Sequence, residues 1–170
     1  LSRYKGHATF IELLATLQSE FDDIHAVILG RAKPGSRYIN ELEGLAERYG
    51  VTDKLTFCGA RTDMRDWMSA SSAVFNLCSD PPEAFGRTIP EAIALGVPAI
   101  GWHHGGVAEV LDEMFPEGAV EADNVVALIE KTREFLLKAP EVSKSDAFSL
   151  QHSMDQTMNL YYRAVGENNL

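Results

Sequence analysis

The sequence has few of the features that mark disulfide-rich or membrane-spanning proteins. Its 170 residues include two cysteines, Cys58 and Cys78, which lie in apolar stretches without the spacing of a disulfide framework or a metal site. We therefore expect reduced, buried thiols in a reducing compartment. The uncharged apolar runs, such as residues 92–102, are too short and too rich in glycine and proline to span a bilayer. No signal peptide is visible, so we expect a cytoplasmic protein.

Basic residues are also scarce, and one long stretch has none. The chain contains 15 Lys and Arg against 25 Asp and Glu, which gives a net charge of -10. This balance argues against a nucleic-acid partner held by a broad basic face. Neither Lys nor Arg occurs between Thr88 and Glu130. The acidic excess therefore belongs mainly to the second half of the chain.

Several motifs that define common enzyme classes are missing. No G-x-G-x-x-G sequence follows a predicted strand, which disfavours a bound nicotinamide or flavin dinucleotide. The absence of G-x-x-x-x-G-K-[ST] and of G-x-S-x-G disfavours an ATPase and an α/β-hydrolase. An Asp-x-Asp pair is absent too, and the adjacent His103 and His104 cannot share one face and have no third ligand spaced for them. We therefore expect no metal ion and no cofactor.

What the sequence does have is a regular alternation of helical and strand-like apolar patterns. Its 45% hydrophobic and 24% charged residues are ordinary for a globular protein. Helical spacing of apolar residues predicts helices at 10–21, 38–49, 64–68, 90–95, 107–112, 123–138 and 146–165. Short runs that are apolar throughout predict buried strands at 24–29, 55–58, 73–77, 97–100 and 119–120. This order predicts an α/β fold with a doubly wound, Rossmann-like parallel sheet covered on both faces.

The opening of the chain allows two interpretations of this fold. No strand precedes the first helix, so either the fold begins with a helix or the chain is cut just after its first strand. In open parallel sheets, ligands bind outside the carboxyl ends of the strands. Despite the acidic total, several cations lie in the loops at that edge: Lys5, Arg31, Lys33, Arg61 and Arg87. Each alone is more typical of a solvated surface, but their joint placement predicts an anion site.

The helix predicted near Thr88 is a second indication of such a site. Gly86 allows the preceding backbone to approach a ligand closely, and the first turn offers unpaired amides at the positive end of the helix dipole. A phosphate would fit there. The sequence Thr88-Ile89-Pro90-Glu91 is equally typical of a capping box, in which Glu91 only satisfies its own helix. Spacing alone leaves both interpretations open.

Taken together, several segments resemble those of one enzyme family. They are Lys5-Gly6-His7, Phe57-Cys58-Gly59, the run from Glu83 to Ala92, Leu95-Gly96-Val97-Pro98, Gly105-Gly106 with Glu109, Phe148-Ser149-Leu150 and Tyr161-Tyr162. With these segments the chain resembles the C-terminal, donor-binding domain of a GT-B glycosyltransferase of family 4, the retaining group 1 transferases. The pair Glu83 and Glu91, with Phe-Gly between them and Glu-Ala at the end, is the most specific element.

The resemblance implies roles for individual residues. Glu83 resembles the residue that contacts the donor sugar or the leaving phosphate, and Glu91 the one that holds the ribose hydroxyls. Lys5 resembles the cation that stabilises the departing nucleoside diphosphate. The family's second cation, an arginine, would precede Leu1; Arg3 is its neighbour, and its guanidinium could reach the phosphate. The other positions implied to line the donor cleft are Gly30, Arg61, Phe85, Gly86, Arg87 and Thr88.

The implied function is transfer of a hexose or similar sugar from a UDP, GDP or ADP sugar to an acceptor hydroxyl, with retention of configuration and without a metal. Residues 1–170 would form one donor-binding domain of a longer protein, with its first strand truncated. The acceptor, a sugar or lipid-linked glycan, would meet a missing N-terminal domain, through which the full-length protein could contact a membrane as a peripheral protein. We expect the domain alone to bind the donor without turning it over.

The sequence also leaves two functions of other classes open. One is a sugar-nucleotide epimerase on a related two-domain fold, which should lack the pairing of Glu83 with Glu91. The other is a non-catalytic nucleotide-binding module, for which the acidic second half would be an interaction face. Both alternatives share the α/β fold, so the fold alone does not separate them.

Overall fold

Helices and strands alternate along the chain, as the apolar pattern predicts. The computed structural model describes residues 1–32, 36–143, 145 and 147–166. Within them the helices are α1 His7–Leu17, α2 Arg37–Tyr49, α3 Met64–Ser69, α4 Thr88–Ala94, α5 Gly105–Met114, α6 Val125–Leu137 and α7 Leu150–Val165. The strands are β1 Ala26–Leu29, β2 Leu55–Gly59, β3 Val74–Asn76, β4 Ala99–Trp102 and β5 Ala119–Val120. The predicted order of elements is therefore confirmed.

The boundaries differ most around α4 and β4. The helix α4 begins at Thr88, as its glycine and first-turn pattern predicts, although the apolar spacing indicates it only from Pro90. The strand predicted at 97–100 begins only at Ala99. The reason is that the amide of Val97 still donates to the carbonyl of Ala92 at the end of α4 (3.0 Å), and a proline follows it, which has no amide to donate.

Every strand pair is parallel, which confirms the α/β class. The strands form two hydrogen-bonded groups, β1 with β2 and β3–β4–β5 in that order, and no ladder joins β1 to β3 in the part of the chain that the structure describes. The first residues of the chain lie between the ends of these strands. The amino group of Leu1 contacts the carbonyl of Arg31 beyond β1, and the amide of Ser79 beyond β3 donates to the carbonyl of Tyr4 (3.0 Å). The carboxyl ends of both groups thus meet at the N-terminal segment.

The helix α1 connects the two groups of strands through different faces. Its Leu13 and Leu17 belong to the apolar core around β3, β4 and β5, which contains the buried Trp102. Its Ile11 and Leu14 belong to a second core with β1, β2 and α2. Full burial of a leucine or isoleucine side chain contributes roughly 1.5–3 kcal/mol, so these four residues hold the two groups of strands together.

The final helix stands apart from both cores. None of the residues of α7 is buried, and the hydroxyl of Ser149 caps it by accepting from the amide of His152 (3.1 Å). The predicted start of this helix, Asp146, lies outside the described residues. Among the helices that the structure describes, none is both long enough and apolar enough to cross a membrane.

Candidate functional site

Lys5 lies beside the end of β3 because of the glycine that follows it. A short 3-10 turn, Arg3–Lys5, ends at Gly6, whose φ of +74° is in the left-handed region. A Cβ at Gly6 would lie 2.3 Å from the carbonyl oxygen of Leu77, so a larger residue would push the turn away from β3. The chain therefore delivers the Lys5 ammonium to the segment that leaves β3.

The partner of Lys5 at this edge is Glu83. The Nζ atom of Lys5 donates to Oε2 of Glu83, and the two side chains are 37% and 26% exposed. The thiol of Cys78, a buried residue just beyond β3, donates to the same oxygen over 3.2 Å. A cation, a carboxylate and a thiol therefore converge where a ligand of a parallel sheet is expected to bind.

The pKa values of Lys5, Cys78 and Glu83 define the protonation state of this cluster at neutral pH. The hydrogen bond from Lys5 lowers the pKa of Glu83 below its ordinary value. Burial alone would lower the pKa of Lys5, but the hydrogen bond to Glu83 and nearby negative charge raise it. Burial, reinforced by the carboxylate of Glu83, raises the pKa of the Cys78 thiol to about 11. At neutral pH the cluster is therefore a carboxylate that binds an ammonium and a protonated thiol.

Asn76 belongs to this site although the sequence interpretation did not single it out. It is 7% exposed, its Nδ2 donates to the hydroxyl of Thr88 (3.1 Å), and its Oδ1 accepts from the amide of Cys78 (3.3 Å). The side chain thus connects the end of β3 to the start of α4. The available signal was an amide side chain at the end of a strand that is otherwise apolar.

The Gly105-Gly106 pair holds the loop that carries Glu83. The amide of Gly106, at the start of α5, donates to the carbonyl of Glu83 (2.9 Å). A Cβ at Gly106 would lie 2.1 Å from the carbonyl oxygen of Ala84, and one at Gly105 would lie 2.9 Å from that of Glu83. Glycine at both positions therefore allows α5 to approach the backbone of the loop.

The start of α4 does not form the capping box that its sequence allows, and the turn before it has backbone amides without partners among the described residues. Gly86 adopts a φ of +77°, and Arg87 occupies the cap position without a side-chain cap. The hydroxyl of Thr88 accepts from β3 instead of capping the helix, and Glu91 accepts from Arg87 (2.8 and 3.1 Å). No hydrogen bond from the amides of Phe85 through Thr88 is made to any residue that the structure describes. These amides are available to a ligand.

A groove runs along the outer side of the same turn. Its volume is about 290 Å³, and the ring of Phe85 meets that of Phe148 edge-on with 5.2 Å between centroids. The lining residues are Phe85, Arg87, Pro90, Glu91, Ala94 and Phe148. The structure therefore brings Glu91 and Arg87 together on one wall, next to the turn that begins with Glu83.

Arg3 and Arg61, two further predicted cations, are engaged elsewhere. Arg3 pairs with Glu41 of α2 and lies over the ring of Tyr38, 5.0 Å from its centroid. Arg61 binds both carboxylate oxygens of Asp63 (2.8 and 2.6 Å) at the start of α3. Neither makes a contact with the pair of Lys5 and Glu83 among the described residues.

Three other positions from the sequence interpretation are Gly30, Lys33 and His103. Gly30 follows β1, and its amide donates to the carbonyl of Gly59 at the end of β2 (2.8 Å), so these two strand ends lie side by side. Lys33 lies outside the described residues. His103 pairs with Asp112 (2.9 Å), and no cluster of three or more metal-ligating side chains occurs in the ranges that the structure describes.

The carboxyl ends of the parallel strands thus carry the ion pair of Lys5 with Glu83, beside backbone amides that have no partner among the described residues. The model of the family described as Glycosyl transferases group 1 matches residues 1–149. The chain therefore belongs to the group 1 glycosyltransferases. This confirms the family resemblance inferred from the segments around Lys5, Glu83 and Glu91.

Individual proteins resemble the chain in sequence or in fold. The chain is 28% identical over 151 residues to the lipopolysaccharide core biosynthesis mannosyltransferase LpsB of Rhizobium meliloti, covering 86% of this chain and 42% of LpsB. A glycosyltransferase structure from Rickettsia africae superposes with a TM-score of 0.81 at 22% identity, covering 98% of this chain and 46% of that one. Anabaena Alr3699/HepE in complex with UDP and glucose gives a TM-score of 0.77 at 25% identity, covering 96% and 46%. The chain thus spans less than half the length of each.

Proposed function

We propose that this chain is the donor-binding domain of a transferase that moves a hexose from a nucleotide diphosphate sugar to an acceptor hydroxyl. The observation that carries the proposal is the ion pair of Lys5 with Glu83 at the carboxyl ends of the strands. Family membership supports sugar transfer, and the 42% coverage of the mannosyltransferase LpsB supports a role as one part of a longer enzyme. A complex of Anabaena Alr3699/HepE with UDP-glucose supports a nucleotide-linked hexose as the donor.

In this proposal the chain stabilises the leaving group electrostatically. As the bond from the sugar to the diphosphate breaks, negative charge grows on the phosphate oxygens. The Lys5 ammonium has three donors; one serves Glu83, and it makes no other hydrogen bond to the residues that the structure describes, so the other two could serve a phosphate. The amides of Phe85 through Thr88 would donate to the same anion. Such preorganised donors perform the task that a divalent cation performs in other transferases, so we propose transfer without a metal.

The other candidate residues would contact the remaining parts of the donor around Lys5. Glu83 would contact the donor sugar, and Glu91 would hold the ribose hydroxyls after releasing Arg87, whose side chain is 83% exposed and therefore free to move. Gly30 and Arg61 would line the cleft on the side of β1 and β2. We assign Arg3 no direct contact with the phosphate while it is paired with Glu41.

The proposal extends to the enzyme that contains this domain. The acceptor would be a sugar or a lipid-linked glycan bound by another part of the protein, and the configuration of the transferred sugar would be retained. The domain would be cytoplasmic, with any membrane association made by the rest of the enzyme as a peripheral protein. On its own, the domain would bind the donor and not turn it over.

The test is a calorimetric titration of the chain with UDP, GDP and ADP and with their hexose derivatives, with and without EDTA. We expect one nucleotide series to bind, with the same affinity in EDTA. A charge-assisted hydrogen bond contributes about 1.5–3 kcal/mol, so Lys5→Ala should weaken binding about tenfold or more.

The matched control is Lys131→Ala. Lys131 is also paired with a glutamate, Glu134 (3.0 Å), and its side chain is 26% exposed, but it lies on α6. We expect its loss to leave nucleotide affinity unchanged. If the folded chain binds no nucleotide, or if the two variants lose affinity equally, the proposed function is wrong.

A further inference from the structure

The two carboxylate oxygens of Glu83 have different surroundings. Oε2 accepts from both Lys5 and Cys78. Oε1 accepts no hydrogen bond from any residue that the structure describes, and the side chain is 26% exposed. One oxygen is therefore anchored to the protein, while the other is available to a hydroxyl donor from a ligand.

The two anchors of Oε2 differ in how firmly they are held. Lys5 reaches Glu83 with a flexible side chain that is 37% exposed. Cys78 is 4% exposed, has a short side chain, and its amide is fixed by Oδ1 of Asn76 (3.3 Å). With a pKa of about 11, its thiol is protonated at neutral pH and can only donate to the carboxylate. The thiol is therefore the rigid anchor and the ammonium the movable one.

A bound diphosphate would compete for the movable anchor. Phosphate oxygens attract an ammonium at least as strongly as a carboxylate does, so Lys5 would turn partly from Glu83 toward the phosphate. Without a second donor, the Glu83 side chain would then be free to change rotamer. The loop backbone does not prevent this, because the contact of Gly106 is with the carbonyl of Glu83 and not with its side chain.

We infer that Cys78 is a positioning residue, whose thiol keeps Oε2 of Glu83 in place so that Oε1 can accept from a hydroxyl of the donor sugar while Lys5 binds the diphosphate. This inference rests on the proposed function, because it assumes that a nucleotide sugar occupies the site. It assigns to the thiol a role in recognition of the sugar and none in recognition of the nucleotide.

The test compares the affinity for a nucleotide sugar with that for the nucleotide alone. Dissociation constants for UDP, UDP-glucose, GDP and GDP-mannose are measured by calorimetry for the whole chain and its variants. A net hydrogen bond of ordinary strength corresponds to about fivefold in affinity. In Cys78→Ala we expect the ratio of Kd for the sugar nucleotide to Kd for its nucleotide to rise about fivefold, with the nucleotide itself bound as before. Cys78→Ser retains a donor and should restore most of the ratio.

Two further measurements exclude a merely structural effect. Thr132 is also buried and makes one hydrogen bond, from its hydroxyl to the carbonyl of Leu128 (2.8 Å), but it lies in α6. Thr132→Val should lower thermal stability without changing the affinity ratio. The carboxyl pKa of Glu83, followed by NMR, should rise in Cys78→Ala, because the thiol hydrogen bond helps to lower it.

The outcomes separate the inference from the function on which it rests. If the wild-type chain binds no nucleotide, the proposed function fails and the inference fails with it. If nucleotides bind but Cys78→Ala leaves the ratio of dissociation constants unchanged, only the role of Cys78 is overturned, whether or not the pKa of Glu83 rises. The same holds if folded Cys78→Ser loses as much sugar-dependent affinity as Cys78→Ala.

Discussion

Replacing Gly106 by alanine should damage both the stability and the ligand affinity of this domain. The new Cβ would lie 2.1 Å from the carbonyl oxygen of Ala84, 2.5 Å from its carbonyl carbon and 2.7 Å from the Cα of Phe85. All three are backbone atoms, so no side chain can rotate away. Restoring normal contact requires the start of α5 and the loop of residues 83–85 to separate by about 1 Å.

The expected magnitude follows from this forced displacement. Overpacking of a well-packed site costs about 1–3 kcal/mol, and a clash with backbone on the other side belongs at the upper end. For a domain of this size each kcal/mol lowers Tm by about 2–4 °C, so we expect a decrease of roughly 6–12 °C. The separation also stretches the hydrogen bond from Gly106 to Glu83, so nucleotide-sugar affinity should fall as well. Thermal and urea unfolding measure the first effect, and calorimetry below Tm measures the second.

Two other glycines provide matched controls. Gly118 is equally crowded, because a Cβ there would lie 1.9 Å from the carbonyl oxygen of Ala99, but it precedes β5, away from the Glu83 loop. Gly118→Ala should therefore lose stability and keep its affinity. Gly44, in α2, has no atom within 4 Å of its Cβ position, so Gly44→Ala should gain about 0.5–1 kcal/mol. A Gly106→Ala variant that unfolds at the wild-type temperature would refute the reasoning.

Three further predictions concern the site and the core. The pKa of Glu83 is lowered from 4.5 in the folded state, so its charge stabilises the fold above that pH, and this contribution is lost on acidification. In Glu83→Gln the free energy of unfolding should therefore fall less between pH 7 and pH 3, as measured by urea midpoints. Asn76→Ala should cost about 1–3 kcal/mol in urea unfolding, because it strips partners from the hydroxyl of Thr88 and a buried amide. Phe135→Ala should cost about 3–5 kcal/mol and spare nucleotide affinity in calorimetry, since Phe135 is 5% exposed and packs on Phe115, at the opposite end of α5 from Gly106. If folded Phe135→Ala bound nucleotide as weakly as Lys5→Ala does, the prediction that this core residue does not affect the site would be wrong.

Local patterns predicted most of the fold because the relevant interactions are local. The apolar spacing in α2 and the Gly50 that follows it define a helix and its end, and Gly50 adopts the expected left-handed conformation. The uninterrupted apolar runs indicated buried parallel strands; the structure confirms the parallel pairing, but only β4 is buried throughout, and Thr56 of β2 is exposed. The start of β4 was missed because its limit depends on the bond from Val97 back to Ala92, which apolar spacing does not encode.

The candidate site was predictable in its members but not in its contacts. The sequence indicated Lys5, Glu83 and the residues from Phe85 to Glu91 through strand-end placement and family resemblance. It did not indicate Cys78, which looked like a core thiol, or Asn76, because the hydrogen bonds of both depend on the conformation of the loop between β3 and α4, which apolar spacing does not encode. The sequence also did not decide whether Thr88 and Glu91 form a capping box; the hydrogen bond from Asn76 of β3 to the hydroxyl of Thr88 shows that they do not.

The sequence by itself therefore determined the kind of elements, their order and the family, because periodicity, glycine positions and local motifs are properties of neighbouring residues. Only the tertiary structure decided which charges meet. Lys5 and Glu83 are 78 positions apart, and Arg3, two residues before Lys5, pairs with α2 instead. The difference arises because Gly6 brings one turn against the end of β3 and Gly106 holds the loop opposite, and both close approaches exist only when all the layers are packed.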